Sequence, residues 1–210
     1  MRFNEAQIDD LRDHVGRTLS DFRFNHTLGV ERMAVRLAKL YCPEKEHLLR
    51  AAALLHDVTK EYCFEEQLAV FKKYGIEPTE EQLSAPPTIH AFTAALVIPD
   101  SYPNFVDSEL IDAVRYHSTG RSGMTLSEKI IYLSDYIEDT RKYEDCIALR
   151  EEFFSAEPAK MTDDERLAHL NRVLLHSIEI TVNELREKSR FIGKGTLDAA
   201  ESLKQELENN

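Results

Sequence analysis

The chain has 210 residues, enough to bury a full core as one globular unit spanning residues 1–210, and its 38 acidic against 26 basic residues give a formal charge of -12. That balance argues against a protein that grips nucleic acid with a broad basic face, so any bound phosphate has to be met by metal or by a few placed cations. Cys42, Cys63 and Cys146 form neither a C-x-x-C pair nor a disulfide framework, the opening MRFNEAQIDDLRDHV lacks the apolar stretch of a signal peptide, and no run nears the roughly 18 apolar residues that cross a bilayer; the expectation is a cytoplasmic chain with no membrane and no nucleic-acid partner.

With only 7 Gly and 7 Pro, and apolar residues recurring at helical spacing, the sequence predicts a succession of helices and no sheet. The first helix sets Ile8, Leu11, Val15 and Leu19 on one face; the second, with Asn25 as N-cap, sets out Val30, Met33, Leu37 and Tyr41. His47 to Val58, HLLRAAALLHDV, is apolar nearly all round, the pattern of a central helix buried among others. A fourth helix through EEQLAVFKKYG stops at Gly75, and EPTEEQLSAPPT forms a turn-rich connection to a buried helix over Ile89 to Ile98. DSELIDAVRYH starts on an Asp or Ser cap, aligns Leu110, Ala113, Val114 and His117, and breaks at STGRSGMT, a loop marked as candidate functional surface. SEKIIYLSDYIEDTR is a further helix, followed by helices at ALREEFF, over Asp163 to Lys188, and from Thr196. The metal and nucleotide core is expected over about residues 20–142, with C-terminal helices over 143–210.

The chemistry concentrates at the doublet His56-Asp57, which ends the most apolar helix. A doublet alone is weak evidence, but His26 lies upstream in RFNHTLGV and Asp135 downstream in IIYLSDYIED, giving the order H, HD, D. Imidazole nitrogen and carboxylate oxygen both donate to divalent metals, at roughly 2.0–2.2 Å for zinc-sized ions. His90 and His117, at the start and end of buried helices, are placed to complete a second metal site, with Asp57 as the bridge between ions about 3.5–4 Å apart. Each residue alone also has a bland reading: a hydrogen-bonded core or cap histidine, or a surface acid in the case of Asp135. Ile130, Ile131, Leu133 and Ile137 around Asp135 favour burial, where an unpaired carboxylate is costly. His14, His47, His169 and His176 sit in ordinary helical contexts and are read as structural.

These residues carry a resemblance. RFNHTLGV, AALLHDVTKE, the IHAF helix start, AVRYHSTGRSGM and LSEKIIYLSDYIEDTR, together spanning Arg23 to Arg141, resemble the HD superfamily of metal-dependent phosphohydrolases, and more narrowly the YqeK-type symmetrical diadenosine tetraphosphate hydrolases. The family often has glycine after the histidine that matches His90; here it is Ala91. From Lys142 on, only the helical character and FIGKGTLDA match. The resemblance implies an all-α, HD-domain helical bundle with an additional C-terminal helical segment. It implies a di-iron or related two-metal site made by His26, His56, Asp57, His90, His117 and Asp135, with manganese or zinc as other occupants, and cleavage of the small-molecule nucleotide diadenosine tetraphosphate into two ADP. Elementary chemistry agrees: divalent metal acidifies water that attacks phosphorus while taking up phosphoryl charge, so no protein nucleophile is needed.

Further candidates surround the set. Asp57 and Lys60 are the catalytic pair, Lys60 lying one turn beyond His56 as a phosphate contact or as a solvated helix-end lysine. Ser118, Thr119 and Gly120 offer hydroxyls and a close backbone approach, and Arg121 a planar fork suited to phosphate. Arg23 and Arg141 add cations at the mouth or remain on the surface, and Asp139, one turn past Asp135, orients a ligand or a substrate hydroxyl or simply faces solvent. Two rival functions stay open: a phosphohydrolase of another nucleotide, and a helical signalling module that binds nucleotide without turning it over. The apolar face of the long C-terminal helices either pairs two subunits as a homodimer or packs on the core.

Overall fold

A computed structural model describes residues 3–209, and every regular element among them is helical. The first, α1 (Glu5–Gly16), opens on a capping box in which Asn4 and Gln7 exchange side-chain bonds to each other's backbone. It ends earlier than its periodicity suggests: Leu19 is buried in the turn that follows, not on the helix face. The next, α2 (Asp21–Tyr41), is capped by Ser20, whose hydroxyl accepts from the Arg23 amide; Asn25 is an exposed interior residue, so His26 sits in the second turn and not at the start.

A single 3-10 turn at Pro43–Lys45 leads into α3 (Glu46–Leu55), in which every residue from Leu48 to Leu55 is buried. The doublet follows directly: His56 caps the helix, and residues 57–62 form a chain of turns. α4 (Phe64–Lys73) stops in a Schellman arrangement, with Ile76 N–H on Phe71 C=O, Gly75 N–H on Lys72 C=O, and Gly75 at φ +65°. The connection after it is more regular than expected, containing α5 (Glu80–Ser84), capped by Thr79, and a 3-10 turn at Pro86–Thr88.

α6 (Ile89–Ser101) runs past Pro99, beyond the expected stop at Ile98; so near the helix end a missing N–H removes one bond rather than the helix. α7 (Ser108–Tyr116) is capped by Asp107 and α8 (Leu126–Ile137) by a Thr125–Glu128 capping box. α9 (Glu144–Ser155), α10 (Asp163–Glu187) and α11 (Lys194–Glu208) complete the order.

The buried α3 lies against α1, α2, α7 and α8, α2 also packs on α8, and α6 bridges α7 and α4. The apolar face of the C-terminal helices packs inward: Leu170, Val173, Leu174, Ile178, Ala199 and Leu203 belong to the same buried cluster as Leu49, Leu54 and Ile131. No helix among the described residues is long and apolar enough to cross a membrane. Cys42 and Cys146 are buried and Cys63 exposed, none in a disulfide.

Candidate metal centre

Five helices deliver six side chains to one point. His26 comes from α2, His56 and Asp57 from the end of α3, His90 from the first turn of α6, His117 from the residue after α7, and Asp135 from the last turn of α8. His26, His56, Asp57, His90 and His117 are buried and the Asp135 side chain is partly exposed. Ligating atoms of His26, His56 and Asp57 lie within 4.8 Å of one another, as do those of Asp57, His90 and His117, and of His56, His117 and Asp135.

Asp57 divides this set in two. Its Oδ2 faces His56 Nε2 at 3.5 Å and His26 Nε2 at 3.8 Å, while Oδ1 faces His90 Nε2 at 3.2 Å and His117 Nε2 at 3.7 Å. Asp135 Oδ1 closes the first group, 3.0 Å from His26 Nε2 and 3.9 Å from His56 Nε2. This is the placement that bridging by Asp57 requires.

The tautomers decide what the site can hold. His56, His90 and His117 each set Nδ1 against the carbonyl three residues back, Ala53, Pro87 and Val114, at 2.6, 2.9 and 2.6 Å. A carbonyl only accepts, so Nδ1 carries a proton and each ring turns Nε2 inward, the nitrogen left to ligate a metal. His90 and His117 then place two Nε2 atoms 3.1 Å apart beside a carboxylate oxygen, and the buried Nε2 atoms of His26 and His56 have no aligned hydrogen-bond partner. Nitrogens and oxygens crowded in this way repel one another unless protons or a cation lie among them. Imidazole and carboxylate suit a divalent first-row metal, so the residues fit such an ion.

Charge follows the same logic. Burial alone would raise the pKa of Asp57, but His56, His117 and His90 outweigh it and hold the carboxyl well below its usual range. For Asp135, likewise, burial is overcome by Arg141, then by His26 and His56. Burial, with Lys60 and His117 nearby, lowers His90 to about 4 and keeps it neutral. His26 goes the other way: burial opposes its charge, yet Asp135 and Glu138 raise it to about 9, marking a position that favours positive charge.

The outer candidates separate clearly. Arg23 Nη1 donates to Asp57 Oδ2 at 2.7 Å and Arg141 Nη2 to Asp135 Oδ1 at 2.6 Å, so both arginines reach the centre. Lys60 Nζ lies 3.2 Å from His90 Nε2, and burial lowers its pKa. Ser118 Oγ lies 3.2 Å from His90 Nε2 and 3.1 Å from His117 Nε2. Thr119 donates to the Gly120 carbonyl; Gly120, at φ +64°, would drive a Cβ to 2.9 Å from that of Ala199, so its glycine is required by packing on α11.

Two of the candidates hold other partners in this geometry. Arg121 commits its fork to Glu128, Nε at 3.0 Å and Nη2 at 2.5 Å, because that carboxylate is buried at the start of α8 and needs a cation. Arg121→Ala is therefore expected to cost about 1–3 kcal/mol of stability by stranding Glu128; thermal unfolding checks it. Asp139 lies among Arg36 at 3.3 Å and Arg150 at 3.9 Å and is half-exposed. The residue beside it does what Asp139 was expected to do. Glu138, buried, takes His26 Nδ1 at 3.1 Å and accepts from the Thr140 amide and hydroxyl.

Other features were not read from sequence. Thr59 donates to the His90 carbonyl while Gln67 donates to the Thr59 carbonyl, a buried polar bracket tying the turn after the doublet to α6. A cavity of about 840 Å³ adjoins Ser118; Pro87, Phe92, Tyr116, Leu185 and Phe191 are among its lining, with exposed Arg190 and Lys194. The four histidines read as structural pair elsewhere: His14 against the Tyr102 ring, His47 with Glu5, His169 with the Phe153 carbonyl and His176 with Glu152.

Known proteins arrange themselves accordingly. The family model described as HD domain matches residues 23–140. A Bacillus subtilis protein named bis(5'-nucleosyl)-tetraphosphatase, symmetrical, is 30% identical over 176 residues, covering 84% of this chain and 86% of its own. A protein of the same name from Staphylococcus aureus is 32% identical over 124 residues, 59% of this chain and 62% of its own. A Clostridium acetobutylicum crystal structure, described as a predicted HD superfamily hydrolase involved in NAD metabolism, superposes with a TM-score of 0.81 at 29% identity, covering 94% of this chain and 97% of the other.

Proposed function

We propose, from the premise that the chain belongs to the HD domain family, that it is a metal-dependent phosphohydrolase cleaving diadenosine tetraphosphate at its centre into two ADP. Relatives of that name align over most of the chain. The observation that carries the reading is Asp57, whose two oxygens face two separate histidine pairs beside a cavity of about 840 Å³.

His26, His56, Asp57 and Asp135 would hold one ion, and His90, His117 and Asp57 the other; we take both to be iron, though manganese and zinc suit the same donors. Divalent metal supplies Lewis acidity, lowering the pKa of water and drawing charge from phosphoryl oxygens. The reaction adds one water across the anhydride between the second and third phosphorus atoms, breaking that P–O bond and releasing two ADP. The chain's own groups then have distinct tasks. Arg23 and Arg141, already turned inward, offset phosphate charge at the mouth. Lys60, desolvated beside His90, is placed to meet the leaving phosphate oxygen. Ser118 lies both against His90 and on the cavity wall, so an adenosine held in the cavity would lead its phosphate chain past Ser118 toward the ligands.

The test is hydrolysis of diadenosine tetraphosphate by metal-analysed protein, with products separated by chromatography. Two ADP per substrate and two metals per chain are expected. ATP plus AMP would contradict the symmetrical register, and metal-loaded protein without turnover would point to another nucleotide.

A further inference from the structure

The cavity was assigned one adenosine above, and the substrate has two. Cleavage at its centre sets equal arms on either side of the metal ligands. One arm runs past Ser118 on the side of His90 and His117; the other has to leave past His26 and Arg23.

One residue on that side has no structural task. Phe22 is 81% exposed, the most exposed large hydrophobic side chain among the described residues. It precedes His26 by four positions on α2, so the two share a face and Phe22 stands one turn further out. Its ring centroid lies 6.0 Å from the guanidinium of Arg23, the same group that donates to Asp57. The backbone beneath it is fixed: Ser20 caps the first turn through the Arg23 amide, and Ser20 N–H and hydroxyl both donate to Glu61, four residues beyond Asp57. An aromatic side chain turned to solvent thus stands on a fixed backbone beside the arginine proposed above to meet phosphate.

We infer that Phe22 is the stacking platform for the second base of the dinucleotide, the one outside the cavity. Stacking tolerates any base, because every base has a π-face, and Arg23 alongside adds charge for the phosphates of the same arm. Phe22 is a substrate-binding residue in this reading and takes no part in bond breaking. The inference rests on the dinucleotide substrate proposed above.

Two experiments on the metal-loaded enzyme test it. Phe22→Ala is expected to raise KM for diadenosine tetraphosphate about tenfold, within the range of one lost aromatic–base stack. It should leave kcat and the KM for adenosine 5'-tetraphosphate, which has a single base, unchanged. Because the chain contains no tryptophan, Phe22→Trp introduces its only indole. A methylene-bridged, uncleavable analogue of the dinucleotide should quench that emission, and inorganic tetraphosphate should not. Unchanged KM in Phe22→Ala, or an emission blind to the analogue, overturns the stacking role, as does a Phe22→Ala effect that appears only as loss of a dimer. Wild-type enzyme inert toward diadenosine tetraphosphate overturns the substrate assignment instead, a result distinguishable at the first assay.

Discussion

Asp57→Ala is expected to lower turnover of diadenosine tetraphosphate by roughly 10³-fold or more, the scale of losing a preorganised electrostatic contact at a reacting centre, and to reduce bound metal from two ions per chain to at most one. The size of the effect follows from position. Asp57 is the residue whose oxygens face both histidine pairs, and it also anchors Arg23. Removing it therefore separates the two halves of the site and releases a cation from the mouth. Asp57→Asn keeps the shape and removes the charge, so equal loss in both variants would assign the effect to charge. Metal analysis and product chromatography report it, and near-wild-type turnover in either variant would mean that the bridge is elsewhere.

The second large effect is predicted at a residue that touches no ligand atom. A Cβ added at Gly29 would lie 2.1 Å from Glu138 Oε2 and 2.8 Å from its Cδ. Glu138 has to move, and with it goes the carboxylate that holds His26 Nδ1. Gly29→Ala is thus expected to weaken metal binding about 10–100-fold, as loss of a partner behind a ligand usually does. Alanine is the better helix former by about 1 kcal/mol, which offsets part of the strain, so the fold should survive. Glu138→Gln should produce a similar loss by a different route, keeping the volume and removing the charge. Metal titration against a chelator measures both. If Gly29→Ala bound metal as tightly as wild type, Glu138 would not be the support for His26.

Much of this centre was legible because its ligands sit where helical periodicity meets chemistry. The run AAALLHDV is too apolar to be anything but interior, so a charged doublet at its end had to be paired or ligated. Sequence reading is weakest where helices stop. Asp139 was placed one turn after Asp135, but α8 ends at Ile137 and Glu138 turns to φ -61°, ψ 154°, so the helical spacing no longer applies and the neighbouring acid takes the inward place. Leu19 follows the same rule beyond Gly16. Arg121 shows a different limit. Its fork suits phosphate and carboxylate equally, and nothing in HSTGRSGM says that Glu128, seven residues on, would be buried and in need of it. The cavity was legible only through the loop at residues 118–121, because the segments around residues 79–88 and 181–198 that complete it are far away in sequence.

One detail of the centre bears on how the site tolerates change. His56, His90 and His117 are oriented by carbonyls of residues 53, 87 and 114, groups that every amino acid possesses. No substitution at those three positions can delete the acceptor, so three of the four imidazoles are buffered against mutation in their own support. His26 has no such insurance: its support is a side chain, Glu138, which depends in turn on a missing side chain at Gly29. Genetic fragility of the metal centre should therefore be lopsided, concentrated around the α2–α8 contact, and a saturation screen scored for metal retention would find its sensitive supporting positions there.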